Sequence, residues 1–112
     1  MPSEKESGAL REILRNIKFA EQFAQGHTFE TLQADEKALS AIVCCLEIIS
    51  EASRRLSDEL KARHPSIEWR EMAAAGNVYR HKYEDVTARR VWKTVQDHLM
   101  PLRIAIEREA SR

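Results

Sequence analysis

What most constrains this chain is its shortage of residues that interrupt regular structure. Only three glycines and three prolines occur in 112 residues, so helices or strands can run far before anything stops them. Between the breakers, apolar residues recur every three or four positions, the spacing of one helix face. Glu, Lys, Arg, Ala and Leu, all good helix formers, fill much of the rest. The pattern predicts long helices joined by short turns and argues against a sheet. The length suits one domain over residues 1–112, with a modest core, because so short a chain buries only about two-thirds of its unfolded surface.

Four helical stretches follow. The first is expected from Ser7, as cap, to Gln25, with Leu10, Ile13, Leu14, Ile17, Ala20, Phe23 and Ala24 on one face and Gly26 as its stop. A polar connection holds one possible turn around Phe29 and Leu32. Asp35 then caps a longer helix to about Ala62, striped by Leu39, Ile42, Val43, Leu46, Ile49, Ser53, Leu56 and Leu60. Its middle, Ala41 to Ile49, is apolar on more than one face, which suits either a central helix or a subunit interface. His64-Pro65 breaks it. Ser66 is the expected cap of a third helix running to Tyr83, and Thr87 of a fourth with Ala88, Val91, Trp92, Val95, Leu99 and Leu102 inside. Pro101 should kink that last helix. The expected fold is all-α, an up-and-down four-helix bundle, with flexible ends at 1–6 and 107–112.

Lysines and arginines balance acidic residues at 18 each. Any anionic partner must therefore meet a local patch rather than a basic field over the whole molecule. The polar start lacks the apolar core of a signal segment, and no run of apolar residues is long enough to span a membrane, so a cytoplasmic location is expected. Cys44 and Cys45, adjacent in an apolar run, read as small buried side chains of a reduced protein. His27, His64, His81 and His98 are scattered without paired ligand spacing, and no phosphate-cradling glycine loop occurs. No metal and no cofactor is expected. Trp69 and Trp92 fit the core, and Arg54-Arg55 and Arg89-Arg90 fit solvated helix faces.

The third helix carries the one unusual cluster. Asn77 and His81 are four apart, Arg80 and Glu84 four apart, and Asn77 and Arg80 three apart, so one helical patch can present an amide, an imidazole, a guanidinium and a carboxylate. Imidazole transfers protons near neutral pH, and a guanidinium fork suits a phosphate. Such a set fits acid–base cleavage of a phosphodiester in which a 2′-hydroxyl is deprotonated. A solvated helix face is the ordinary alternative. Gly76, costly inside a helix, points to close approach of a neighbouring helix or a second subunit.

The motifs also have a characteristic order. Glu51-Ala52-Ser53-Arg54-Arg55-Leu56-Ser57 precedes His64-Pro65-Ser66-Ile67-Glu68-Trp69. Gly76-Asn77-Val78-Tyr79-Arg80-His81-Lys82-Tyr83 follows, then Val91-Trp92-Lys93-Thr94-Val95 with Leu99-Met100-Pro101-Leu102. This succession, from about Leu10 to Ile106, resembles the HepT-like proteins of the HEPN superfamily, the toxin half of MNT–HEPN toxin–antitoxin pairs. The resemblance implies a dimeric helical bundle with two active-site segments facing across a cleft. It implies a metal-independent endoribonuclease built on an arginine, four to six residues, and His-x-Tyr, and the expected substrate is RNA, with tRNA one candidate. Here His81-Lys82-Tyr83 matches the latter part and Asn77 the polar residue after the arginine, but Gly76 stands where that arginine is expected. Arg80 is the candidate replacement. The resemblance also implies a nucleotidyltransferase antitoxin that places AMP on the motif tyrosine, here Tyr83, for which packing at the helix end is the alternative role. The rival to catalysis is a dimeric module that binds RNA or a nucleotidyltransferase without cleaving. A purely structural bundle would leave the cluster unexplained.

Overall fold

The computed structural model describes residues 3–80 and 84–112, with the side chains of 75–80 and 84–86 outside that description. The helices are α1 (Glu4–Ala24), α2 (Phe29–Ala34), α3 (Glu36–Ser53), α4 (Asp58–Ala62), α5 (Trp69–Arg80), α6 (Glu84–Lys93) and α7 (Leu99–Ala110). A turn of π-helix, Thr94–His98, joins the last two, and no strand occurs among the described residues. The long elements α1, α3, α5 and the α6–α7 rod make the expected all-α bundle, while α2 and α4 are short helices in its connections. Leu10, Ile13 and Ile17 of α1 meet Ile42, Leu46 and Ile49 of α3 and Val91, Leu99, Leu102 and Ile106 of the rod in one buried cluster. Leu32 of α2 and Leu60 of α4, both fully buried, close it. Helix α3 packs against α1, α2, α5 and α6, which accounts for its apolar middle as a central helix.

Several boundaries differ from expectation, each for a local reason. Helix α1 begins a turn early because Ser3, not Ser7, is the cap, its Oγ accepting the Glu6 N–H at 3.1 Å. Gly26 follows its end at φ +83°, a conformation open to glycine. Phe23, placed on the inner face by spacing, is 43% exposed. Asp35 caps α3 as expected, Oδ1 accepting from the Ala38 N–H at 3.0 Å, but the helix stops at Ser53 instead of reaching Ala62. There the Ser53 hydroxyl donates to the Ser50 carbonyl at 2.7 Å, and Arg54, Arg55 and Leu56 make tightened bonds three residues back. Ser57 then caps α4 through the Leu60 N–H. Serine hydroxyls that compete for backbone partners thus end one helix and start the next, although the apolar stripe continues to Leu60.

Ser66 lies in a turn rather than capping α5, which begins at Trp69. Thr87 is buried within α6, which begins at Glu84. Just before Pro101, where a kink is expected, the helix takes a π turn in which the Leu99 N–H bonds to the Thr94 carbonyl. Proline crowds the carbonyl four residues back, and a widened turn accommodates this without ending the helix. Cys45 is buried, which pushes its thiol up, but Cys44 is exposed.

One end of the bundle is tied by polar groups. Glu109, 3% exposed, accepts from Arg63 Nη2 at 2.6 Å and Nε at 3.1 Å and from His64 Nε2 at 2.6 Å. The helix therefore runs to Ala110, where a frayed tail from Glu107 was expected. Nearby, the Ser57 N–H donates to Glu6 Oε2 at 2.7 Å, and the Trp69 indole N–H donates to the Lys61 and His64 carbonyls at the end of α4. The beginning of α1 thus lies beside the end of α3, so the two run antiparallel. Arg103 of α7 meets Glu21 near the end of α1 at 3.1 Å, so α7 runs antiparallel to α1.

The Arg63 guanidinium, hydrogen-bonded to it, holds the Glu109 carboxyl at about 2 instead of 4.5. A carboxylate with a depressed folded-state pKa stabilises the fold above its unfolded value and loses that contribution as pH falls. Stability should drop between pH 4.5 and about 2, the window set by those two values. Glu109→Gln should lower the unfolding free energy by about 2 kcal/mol at neutral pH and remove this part of the acid dependence. Urea titrations of both proteins at several pH values check it.

Candidate functional site

Helix α5 carries the candidate residues Asn77 and Arg80, and its first half explains how they are held. The Ser50 hydroxyl of α3, on a residue 1% exposed, donates to the Ala73 carbonyl at 3.0 Å. Arg54 reaches the same carbonyl, with Nε at 3.1 Å and Nη2 at 2.6 Å, while its Nη1 meets Glu51 at 3.4 Å. Ala73 is one helical turn before Asn77 and about two before Arg80. Two side chains from the end of α3 therefore fix the axial position of α5 just upstream of the candidate residues. Because the early part of α5 lies beside the end of α3, the two helices are antiparallel.

Asn77 and Arg80 lie on α5, at its second half and last residue, three apart on one continuous helix as predicted, whereas Glu84, expected on the same patch, is the first residue of α6. Their side chains, and the surroundings of Gly76, fall outside the described residues. His81 and Tyr83, expected as acid–base group and AMP acceptor, lie outside the described residues altogether.

Alongside α5 runs a groove of about 810 Å³. Leu46 and Ile49 of α3, Met72 of α5 and Leu99 and Leu102 of α7 give it an apolar floor. Glu68 and Glu71 stand on one rim, with Arg90, Lys93 and His98 among the other lining residues. The neighbouring Glu68 carboxyl, by hydrogen bond and repulsion, pushes Glu71 above the ordinary carboxylate value. Among the described residues no group of three or more His, Cys, Asp or Glu side chains is arranged to hold a metal ion. No described helix is long and apolar enough to cross a membrane.

Arg54, Arg89 and Arg90 are exposed, as expected of solvated helix faces, and Arg55 is half-buried, but three of the four also make specific contacts. Arg54 clamps α5, Arg55 pairs with Glu12 of α1, and Arg89 lies 5.3 Å from the centroid of the Phe29 ring of α2. Trp69 and Trp92 pack against the core as expected. Sequence reading missed the Ser50–Arg54 clamp. Its only signal is a serine among apolar neighbours, one helical turn before an arginine.

Comparison with known proteins settles the family. The family described as Ribonuclease HepT-like matches residues 13–109. The chain belongs to this family. A relative from Thermococcus cleftensis named "Probable ribonuclease HepT" is 36% identical over 99 residues, covering 88% of this chain and 90% of its own. A protein of Caldanaerobacter subterraneus subsp. tengcongensis is 33% identical over 86 residues, 77% of each chain. One from Methanocaldococcus jannaschii is 28% identical over 95 residues, 85% of this chain and 78% of its own. Both are named as candidate RNases. No solved structure matches at a significant level. The HepT-like segment thus includes the whole of α5, its clamp and Glu109, and stops one residue short of the end of α7.

Ser50→Ala should cost about 1 kcal/mol, the usual worth of a buried hydrogen bond. It should also speed amide exchange in α5 more than in α1, and Ser50→Ala/Arg54→Ala should do so further. Hydrogen-exchange mass spectrometry of the three proteins reads the outcome.

Proposed function

We propose that this HepT-like chain is a metal-independent endoribonuclease, working as a homodimer in which the segments after the two α5 helices face each other. The reading is carried by the family match over residues 13–109 together with the His81-x-Tyr83 motif directly following α5. His81 acts as the acid–base residue. As base it takes the proton of a ribose 2′-hydroxyl, the resulting oxygen attacks the adjacent phosphorus, and the bond to the 5′-oxygen breaks as that oxygen is protonated. The phosphate gains negative charge on the way, and a guanidinium placed there stabilises it. Arg80 supplies that group from one turn beyond Gly76, where the family motif has its arginine, and Asn77 positions substrate or imidazole.

The biological setting follows from the same resemblance. The chain is the toxin of a toxin–antitoxin pair, and its partner is a nucleotidyltransferase that adds AMP to Tyr83. Bulk and negative charge at that position would keep RNA from His81 and Arg80. Gly76 specifically favours a second reading, a dimeric module that binds RNA or the nucleotidyltransferase without cleaving, because glycine leaves the phosphate-binding role at that position vacant.

Purified protein free of AMP should cleave cellular RNA equally well with and without EDTA. His81→Ala and Arg80→Ala should each lower the rate about 100-fold or more. Absence of cleavage by the unmodified protein would transfer the conclusion to the binding module. Light scattering at micromolar concentration should return the mass of a dimer, and a monomer would sink the shared-cleft mechanism.

A further inference from the structure

Helix α1 bears a stripe of two arginines and two phenylalanines, of which Phe19 is half-buried against the core and the other three are exposed. Arg11, Arg15, Phe19 and Phe23 follow one another at intervals of four, so each lies about one turn above the last. The Arg15 guanidinium carbon sits 5.3 Å from the centroid of the Phe19 ring. The rings of Phe19 and Phe23 stack with centroids 6.4 Å apart and planes 25° apart. Phe23, at the end of the stripe, is 43% exposed. At the other end, Arg11 and Arg15 join Arg55, Glu12 and Gly8 around a shallow notch of about 550 Å³. Glu12 and Glu51 already engage Arg55, whereas no ion pair among the described residues engages Arg11 or Arg15. A Cβ on Gly8 would meet only Arg11 Nη2, at 3.9 Å. Packing therefore does not require a glycine there, and its lack of a side chain leaves the notch open.

Guanidinium forks match phosphate oxygens in pairs, and an aromatic face accepts any base. Both groups in succession along one exposed helix face fit a ligand with alternating phosphates and bases. We propose that the stripe Arg11–Arg15–Phe19–Phe23 is a contact site for single-stranded RNA, holding a stretch of substrate away from the cleavage segment. The proposal rests on the ribonuclease reading and adds to it where the strand lies. Helices α1 and α5 are both antiparallel to α3, so the aromatic end of the stripe and the Asn77–Arg80 end of α5 lie at the same end of the bundle. A strand on the stripe with a base on the exposed Phe23 ring would leave the stripe at that same end of the bundle. The chain's zero net charge is compatible with this, because the contact is a local patch. An acidic protein surface would satisfy the arginines but not the exposed Phe23 ring.

The test measures binding of a fluorescein-labelled single-stranded RNA 12-mer to protein carrying His81→Ala, over a range of salt concentrations. Adding Arg11→Gln/Arg15→Gln should weaken binding about tenfold and flatten the salt dependence by about 1.4 in log–log slope, the value for two lost phosphate contacts. Arg11→Lys/Arg15→Lys should keep most of that slope. Phe23→Ala should weaken binding about tenfold with the slope unchanged, as expected for a lost stacking contact. In the active protein the same changes should raise KM and leave kcat in place, and Arg108→Gln on α7 should alter neither. Circular dichroism melts matching the parent show that each variant is folded. If wild-type protein cleaves RNA while the glutamine pair and Phe23→Ala bind with parental affinity and slope, the proposal is overturned and the ribonuclease reading stands. If those variants instead change only the oligomeric state, the stripe is a protein contact and the proposal falls. If the parent binds no RNA at low salt and the wild type cleaves none, both fall together.

Discussion

The buried carboxylate of Glu109 holds together parts of the chain that would otherwise have little reason to meet. It sits in the last turn of α7 and takes up Arg63 and His64 from the end of α4. A charge so placed is expensive to bury unless every lone pair finds a donor, and here three donors converge on its two oxygens. That requirement fixes where α7 ends and where the short helix α4 lies. It also positions the His64 carbonyl, one of the two that receive the Trp69 indole at the start of α5. The apolar core could tolerate modest sliding of helices, since burial is not directional. The polar knot could not, because hydrogen bonds weaken steeply with angle and distance.

From that knot the order of the molecule passes along α3 to α5. Ser50 and Arg54 grip one carbonyl of α5, so the helix that leads into the His-x-Tyr motif is located by side chains that take no part in chemistry. The adjacent Arg55 does the same for α1 through Glu12. Two consecutive arginines at the end of the central helix thus reach to opposite neighbours, which gives the conspicuous Arg-Arg pair a mechanical meaning. Groups of this kind set the geometry of whatever segment they support.

Much of the architecture was legible in the sequence because it rests on periodicity. The four long helical elements, the caps at Asp35 and Gly26, the turn around Phe29 and Leu32, and the inner residues Ile42, Leu46, Ile49, Val91, Leu99 and Leu102 all follow from apolar spacing and local cap chemistry. The errors arose where a polar side chain chose among several backbone partners. Ser3 rather than Ser7 starts α1, and Ser53 with Ser57 divides what the stripe presents as one helix. Neither choice leaves a mark in hydrophobic periodicity. Glu109 was illegible for a related reason, since a terminal glutamate looks solvated until the fold brings Arg63 and His64 to it. For the candidate site, spacing placed Asn77 and Arg80 correctly on one helix, and the order of motifs pointed to the family. The clamp behind them required three dimensions.

The π turn before Pro101 affects more than the proline. A π bond spans one residue more than an α bond, so Thr94–His98 acts as a stored extra residue inside a helical rod. Each residue of an α-helix advances about 100° around the axis. Everything beyond the turn is consequently phased by it, including the face on which Leu102, Ile106 and Glu109 sit. The stretch is the rod's timing element: the same residues wound there as regular α-helix would swing Glu109 about a quarter-turn away from Arg63 and His64.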